Sequence, residues 1–334
     1  MKQILITGCY RSGTEYFVHL LNTHPKISLY SYATNYMRYY FNRYGDISLE
    51  RNYRRLINDA KKIIYTKWNI KIDEKKILSA CINSKVNHNF LYSALIYDLY
   101  DRIKKPYVYW GEKTQLVWTK VPDFLKLFPN SKVIIVIRDP RDVLCSFKKI
   151  TNAPKPLYLG AIFNSFDVMK RSIEYKKIYP NNFMYVKYEN LITAYENTME
   201  SIFAFLNLEY NIEYFKKYEW KNLDGSTWKH NSAFVYNNHL NFIDLLTSPR
   251  WKSDLKEWEI EFCQKINKKY MEIFDYAIDF KYNSLLEDEN LISLINNEKI
   301  WKYYLQWKQK FIGIEEFPSD PLNPKNWNLK KNRI

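Results

Sequence analysis

The opening segment constrains this chain more than any other stretch. Ile4-Leu5-Ile6-Thr7 is a short apolar run that leads into Gly8-Cys9-Tyr10-Arg11-Ser12-Gly13-Thr14-Glu15-Tyr16-Phe17, and the segment closes on His24-Pro25. From Thr14 onward, Phe17, Leu20 and Leu21 recur at helical spacing. A strand that breaks into a glycine-bearing turn and then a helix forms an anion cradle. Loop amides and the helix N-terminus point at one place, and the helix dipole adds about half a positive charge there. Small residues let the backbone come close to the anion. Placed at the start of the chain, this pattern predicts Lys2–Thr7 as the central strand of an α/β domain.

The loop departs from the nucleoside-triphosphate consensus G-x-x-x-x-G-K-[ST], in which the lysine meets the β- and γ-phosphates and the hydroxyl meets magnesium. Gly8 and Gly13 have the right separation, but Thr14 follows Gly13 directly and Arg11 is the loop's sole cation. This disfavours a magnesium-dependent ATPase and leaves an anion site open. Taken alone, the segment also suits an ordinary strand-to-helix turn. A second segment argues for the anion site. Lys132-Val133-Ile134-Ile135-Val136-Ile137 reads as a parallel strand buried on both faces. It ends in Arg138-Asp139-Pro140-Arg141-Asp142-Val143-Leu144-Cys145-Ser146. Asp139 suits an N-cap and Pro140 the first helical position. Arg138 then stands at the carboxyl end of a strand, where open α/β sheets bind ligands. By themselves Arg138 and Arg141 also suit a solvated or salt-bridged pair.

Together these segments resemble the sulfotransferase family. Arg11-Ser12-Gly13-Thr14 is similar to its 5′-phosphosulfate loop, and Arg138 through Ser146 to its 3′-phosphate motif. Trp110-Gly111-Glu112-Lys113-Thr114 resembles the strand-end "GEKT" element of bacterial and carbohydrate sulfotransferases. Val186-Lys187-Tyr188-Glu189-Asn190-Leu191 is similar to the family's "YEDL" strand end, and Phe203-Ala204-Phe205-Leu206-Asn207-Leu208 to its "FLGL". Gly225-Ser226-Thr227-Trp228-Lys229-His230-Asn231 resembles the loop that closes over the nucleotide. Pro249-Arg250-Trp251 and the helix through Tyr270 match the usual C-terminal helix. The resemblance covers about residues 1–30 and 105–280.

The resemblance implies a three-layer α/β sandwich of the P-loop-like sulfotransferase type, with a central parallel sheet of about five strands. The implied donor is 3′-phosphoadenosine 5′-phosphosulfate (PAPS), which leaves as adenosine 3′,5′-bisphosphate (PAP). Carried over by position, Arg11, Ser12, Gly13, Thr14 and Glu15 would hold the 5′-phosphosulfate. Arg138 and Ser146 would hold the 3′-phosphate, Tyr188 would stack near adenine, and Trp228 and Lys229 would cover the adenosine. Lys113 would reach the active centre from its strand end.

These residue types suit the chemistry. Sulfuryl transfer is an in-line displacement, like phosphoryl transfer, with little covalent work for the protein. Charge grows on the bridging oxygen as the nucleotide leaves, and cations aimed there stabilise it. Arg11 and Lys113 are the expected catalytic cations. The sulfuryl group is monoanionic, so no metal is expected. An arginine fork with a hydroxyl is a good reader of a terminal phosphate.

The acceptor side is less defined. An acceptor hydroxyl needs a general base within hydrogen-bond reach. The position of the histidine base of cytosolic members is Gln115, and the position of the glutamate base of other members falls at Ser31-Tyr32-Ala33-Thr34-Asn35. Glu15, Glu112, Asp46 and His24 remain as candidates, and the sequence assigns none of them. Glu15 stands in a loop where a carboxylate repels the donor unless it pairs with Arg11 or faces the acceptor.

Composition adds bounds. At 334 residues, one elaborated domain is expected over residues 1–284, with a C-terminal extension, 285–334, packed on it. A helical insertion at about 38–105, with apolar spacing over 48–67 and 88–103, is expected to wall the acceptor site. Trp301, Trp307 and Trp327 argue that the extension packs despite Pro318, Pro321 and Pro324. The net charge of +15, from 51 basic and 36 acidic residues, suits an anionic donor. The lysines are scattered with no basic block, so nucleic acid is not the expected partner. Cys9, Cys81, Cys145 and Cys263 lack metal or redox spacing, and His19, His24, His88, His230 and His239 form no ligand pattern. The first strand begins at residue 2, and no run of 18 apolar residues exists. The expectation is a cytoplasmic sulfotransferase acting on a hydroxyl of a glycan or glycolipid. The alternatives are a degenerate nucleotide-binding module and a phosphate-loop kinase using ATP.

Overall fold

The computed structural model describes residues 2–31, 34–82, 84–100, 107–150, 156–217, 249–279 and 288–316. Five strands form one parallel sheet: β1 (Lys2–Gly8), β2 (Ile27–Ser31), β3 (Tyr109–Lys113), β4 (Lys132–Ile137) and β5 (Phe183–Lys187). Their order is β2-β3-β1-β4-β5, with every neighbouring pair parallel. From β1 the chain crosses to the edge strand β2, returns inward to β3, and then passes β1 to build β4 and β5 on the other side. Ligands bind at such a reversal, outside the carboxyl ends of the strands.

The helices in chain order are α1 (Thr14–Asn22), α2 (Tyr36–Tyr39), α3 (Glu50–Trp68), α4 (Glu74–Ile82), α5 (His88–Tyr100) and α6 (Val121–Leu127). Then come α7 (Pro140–Ile150), α8 (Gly160–Ile178), α9 (Asn190–Thr193), α10 (Tyr195–Phe205) and α11 (Glu213–Lys217). Further helices span Trp251–Asp254, Glu257–Ile273, Asp288–Ile295 and Glu298–Lys310.

Period-two alternation in the strands splits the core into two layers. Ile4, Ile6, Ile134 and Val136 face one side, where Phe17, Leu20 and Leu21 of α1 and Met199, Ile202 and Phe203 of α10 cover them. Leu5, Val133, Ile135 and Ile137 face the other side, under apolar residues of α7, α8 and the helix Glu257–Ile273. This explains why β1 and β4 read as unbroken apolar runs. The expected three-layer sandwich and five-strand parallel sheet are the observed architecture.

Two long-range attachments bear on the first loop. Asn164 of α8 donates from Nδ2 to the Tyr10 hydroxyl (3.0 Å) and accepts the Glu316 amide at Oδ1 (3.1 Å). Phe166 of α8 meets the rings of Trp307 and Phe311. Residues 311–316 therefore lie on α8 and reach, through Asn164, to the loop after β1. In the 38–105 stretch, α3 buries Leu56, Ile57, Ala60, Ile63 and Ile64, while Arg51, Arg54 and Arg55 stay exposed. No helix among the described residues is long and apolar enough to cross a membrane.

Candidate active site at the carboxyl edge of the sheet

The turn after β1 is built by two glycines. Gly8 has φ +154, and a Cβ there would meet the Val136 carbonyl oxygen at 2.6 Å. Gly13 has φ +88 and forms the N-cap of α1. Between them Arg11 adopts φ +68. A non-glycine residue in that region is held by its surroundings. Here the Arg11 carbonyl accepts from Arg138 Nη1 (3.0 Å), and Arg11 Nε donates to Ser146 Oγ (3.1 Å). The Ser12 hydroxyl turns inward and donates to the Cys9 carbonyl (2.7 Å). It closes the loop upon itself.

The 138–146 motif divides its two arginines between different tasks. Arg141 makes a bidentate contact with Asp139 (Nε–Oδ1 3.0 Å, Nη2–Oδ2 2.6 Å), donates to Gln264 (2.8 Å) and lies over the Trp251 ring at 4.1 Å. It is spent on tying α7 to the C-terminal helices. Asp139 also caps α7 by accepting the Arg141 amide at Oδ1 (2.9 Å). Arg138 is 9 % exposed, and its guanidinium stands 4.6 Å from the Tyr188 ring centroid. Its Nε has no hydrogen-bond partner among the described residues. Buried donors are rarely left so. Through Arg11, whose carbonyl accepts from Arg138 and whose Nε donates to Ser146, this buried donor is linked to a buried serine hydroxyl.

At the end of β3, adjacent side chains do opposite things. Glu112 is fully buried and accepts five bonds: from the amides of Thr34, Asn35 and Tyr36 and from the hydroxyls of Thr34 and Tyr92, all at 2.7–3.0 Å. It is a strut that fixes the chain beyond β2. Lys113 is also fully buried, and burial lowers its pKa to about 7; Glu15 pulls it up and Arg11 pushes it down. Lys113 lies in register with Ile6 of β1. Two residues on, Gln115 Nε2 reaches Thr14 Oγ1 at 3.5 Å, joining β3 to the start of α1.

The tertiary structure thus brings Arg11, Ser12, Gly13, Thr14, Glu15, Lys113, Arg138, Ser146 and Tyr188 to one edge. The loop after β1, the end of β3, the residue after β4 together with α7, and the end of β5 supply them. A family model described as the sulfotransferase family matches residues 3–211, more than half of the chain. The chain belongs to the sulfotransferase family. Two solved structures share its fold. The sulfotransferase domain of the Synechococcus PCC 7002 olefin synthase is 16 % identical, with TM-score 0.56 over 84 % of this chain and 96 % of that one. The sulfotransferase domain of the curacin biosynthetic pathway is 15 % identical, with TM-score 0.52 over 83 % of this chain and 99 % of that one. No curated protein matches the sequence.

In this sulfotransferase, Tyr188 is 4 % exposed, packed on Gly13 and under Arg138. Trp228 and Lys229 lie outside the described residues, as do Tyr32 and Ala33 of the usual glutamate position. A cleft of about 660 Å³ lies beside the arginine motif, lined by Asp139, Asp142, Glu189, Asp275, Asp279 and Trp251 among others. Its five carboxylates outnumber its two cations, Arg141 and Lys252, and Arg11, Lys113 and Arg138 do not line it. Asp142 in that cleft has its pKa raised to about 6, by burial first and then by Asp139 and Glu189, against the pull of Arg138. Sequence reasoning did not find the Tyr188–Gly13 contact or the Asn164–Tyr10 bond. No local signal carries either, because each joins residues far apart in the chain.

Proposed function

We propose that the protein transfers the sulfuryl group of PAPS to a hydroxyl of a glycan or glycolipid by in-line displacement. One observation carries this reading: Arg138, bonded to the loop carbonyl of Arg11, keeps a buried Nε with no partner among the described residues, and Arg11 in turn donates to Ser146. The loop that suits a 5′-phosphosulfate and the pair that suits a 3′-phosphate are thus one connected unit. PAPS, when bound, supplies the electrophilic sulfur and a nucleotide leaving group. In this reading Arg138 and Ser146 take the 3′-phosphate. The amides of Gly13 and Thr14 and the α1 N-terminus take the 5′ end. Arg11 and Lys113 meet the charge that grows on the bridging oxygen. Lys113 is buried, and once an anion beside it restores its proton, a buried ammonium acts more strongly on that anion than an exposed one. The glycan side of the family is favoured by Gly111-Glu112-Lys113-Thr114 and by the arginine-type loop at Arg11.

Thermal unfolding with PAP, adenosine 5′-phosphate or ATP plus magnesium tests the donor. PAP at 100 times its dissociation constant should add about 2.7 kcal/mol. Stabilisation by ATP and magnesium in place of PAP would point to a phosphate-loop kinase. PAP binding without turnover of PAPS would point to a degenerate nucleotide-binding module.

A further inference from the structure

The two positions at which sulfotransferases carry their base hold no described acid or imidazole in this chain, so the acceptor's proton needs another destination. Three of the four remaining candidates are committed elsewhere. Glu112 has its oxygens filled by five donors. His24 accepts the Lys26 amide at Nδ1 (3.0 Å), and its ring packs against Phe203 and Tyr214, under α10 and α11. Asp46 lies in an exposed turn and accepts from both the amide and hydroxyl of Ser48.

Glu15 differs. It is the second residue of α1, directly after Thr14, whose hydroxyl meets Gln115 at the end of β3. It is half-buried. Neither a hydrogen bond nor an ion pair engages its carboxylate among the described residues. Its charge acts on Lys113 and on His19, one turn further along α1. A carboxylate there, close to Lys113 but not bonded to it, sits beside the proposed point of sulfuryl transfer. As a ligand of the donor it would be of the wrong sign.

We propose that Glu15 is the general base of this sulfotransferase, facing the acceptor hydroxyl rather than holding the donor. This rests on the sulfuryl-transfer reading above. As the acceptor oxygen bonds to sulfur, its proton passes to the Glu15 carboxylate. The bond between sulfur and the 5′-phosphate oxygen breaks, and its electron pair leaves on PAP beside Lys113 and Arg11. Glu15 then returns the proton to solvent.

The test is Glu15→Gln, which keeps size and removes the base. PAP binding by the parent protein checks the donor reading separately. In the variant, PAPS turnover with water or 2-phenylethanol as acceptor should fall about 100-fold. Transfer to p-nitrophenolate at pH 8, already ionised, should change by less than about threefold. PAP should bind as well or more tightly, because a negative charge beside the anion is gone. Weaker PAP binding would place Glu15 on the donor and overturn the proposal. So would unchanged turnover with water, or an equal loss with p-nitrophenolate. A His19→Asn variant that reproduces the same acceptor-selective loss, with Glu15→Gln active, would move the role to the imidazole and also overturn it.

Discussion

The ring of Tyr188, at the end of β5, lies directly against the backbone of Gly13, at the start of α1: a Cβ on Gly13 would stand 2.1 Å from Tyr188 Cδ2. The other neighbour of that ring is the Arg138 guanidinium, 4.6 Å from its centroid. The loop after β1 is therefore shaped by a residue 175 positions away in sequence, and only glycine fits where they meet. Gly13→Ala should destabilise the protein by about 2–4 kcal/mol, from the left-handed backbone and the clash together. Urea unfolding of Gly13→Ala, Tyr188→Ala and the double variant should give a double mutant more stable than the sum of the single losses, because the second change removes the clash. Strict additivity would separate the two residues.

Arg138 and Arg141 should fail in different ways. Arg141 holds Asp139 and Gln264 in a buried network, so Arg141→Ala should lower stability by about 3 kcal/mol or more. Arg138→Ala should instead weaken PAP binding by about 1.5–3 kcal/mol while changing affinity for adenosine 5′-phosphate far less. Calorimetric titration with both nucleotides checks this. Equal losses for the two ligands would remove Arg138 from the 3′-phosphate.

Lys113 makes both binding and stability depend on pH. Burial lowers its pKa to about 7, so near neutrality it is partly uncharged in the free protein. An anion beside it restores the charge, and binding takes up a proton. PAP affinity should therefore fall as pH rises above 7, approaching about tenfold per unit until the pKa of the complex is reached. Titrations in two buffers of different ionisation enthalpy measure the uptake. The stability effect has the opposite sense. Below pH 7 the folded protein carries the full penalty of a buried ammonium, and the penalty is relieved as pH rises from about 7 toward 10.5, where only the unfolded chain holds the proton. Lys113→Met should thus raise the melting temperature at pH 6.5, flatten the pH dependence of PAP binding and lower turnover. Unchanged turnover would take Lys113 out of the active centre.

Glu112 should prove structural although it neighbours Lys113. In Glu112→Gln, one side-chain oxygen becomes an NH2 group facing amides that need acceptors, which should cost about 2–3 kcal/mol. The folded fraction should keep its affinity for PAP. A variant as stable as the parent would contradict the five-donor strut.

Much of this was legible locally. The strand, loop and helix at the start of the chain, the Lys132–Ile137 strand and the capped helix beginning at Pro140 appear where the sequence places them, because each depends on periodicity and turn chemistry within a few residues. Other features were not legible. Arg138 and Arg141 look alike in sequence, but only Arg141 meets Asp139 and Gln264. Glu15, Glu112, Asp46 and His24 were candidates among which the sequence did not choose, although a strand-end carboxylate such as Glu112 is more often structural; the folded chain shows five donors on Glu112 and none on Glu15 among the described residues.

The sequence by itself determined the β1 strand, the glycine-bearing turn, helix α1 and the β4–α7 pair, since local pattern and turn chemistry carry them, and the motifs they hold carry the resemblance that implied the layered fold. The tertiary structure decided which of those groups are free to act. A side chain's availability depends on partners that the fold brings from distant segments: Tyr188 to Gly13, Ser146 to Arg11, Tyr92 to Glu112. Burial, with Glu15 and Arg11 nearby, sets the charge on Lys113, and among the described residues no hydrogen bond or ion pair holds Glu15.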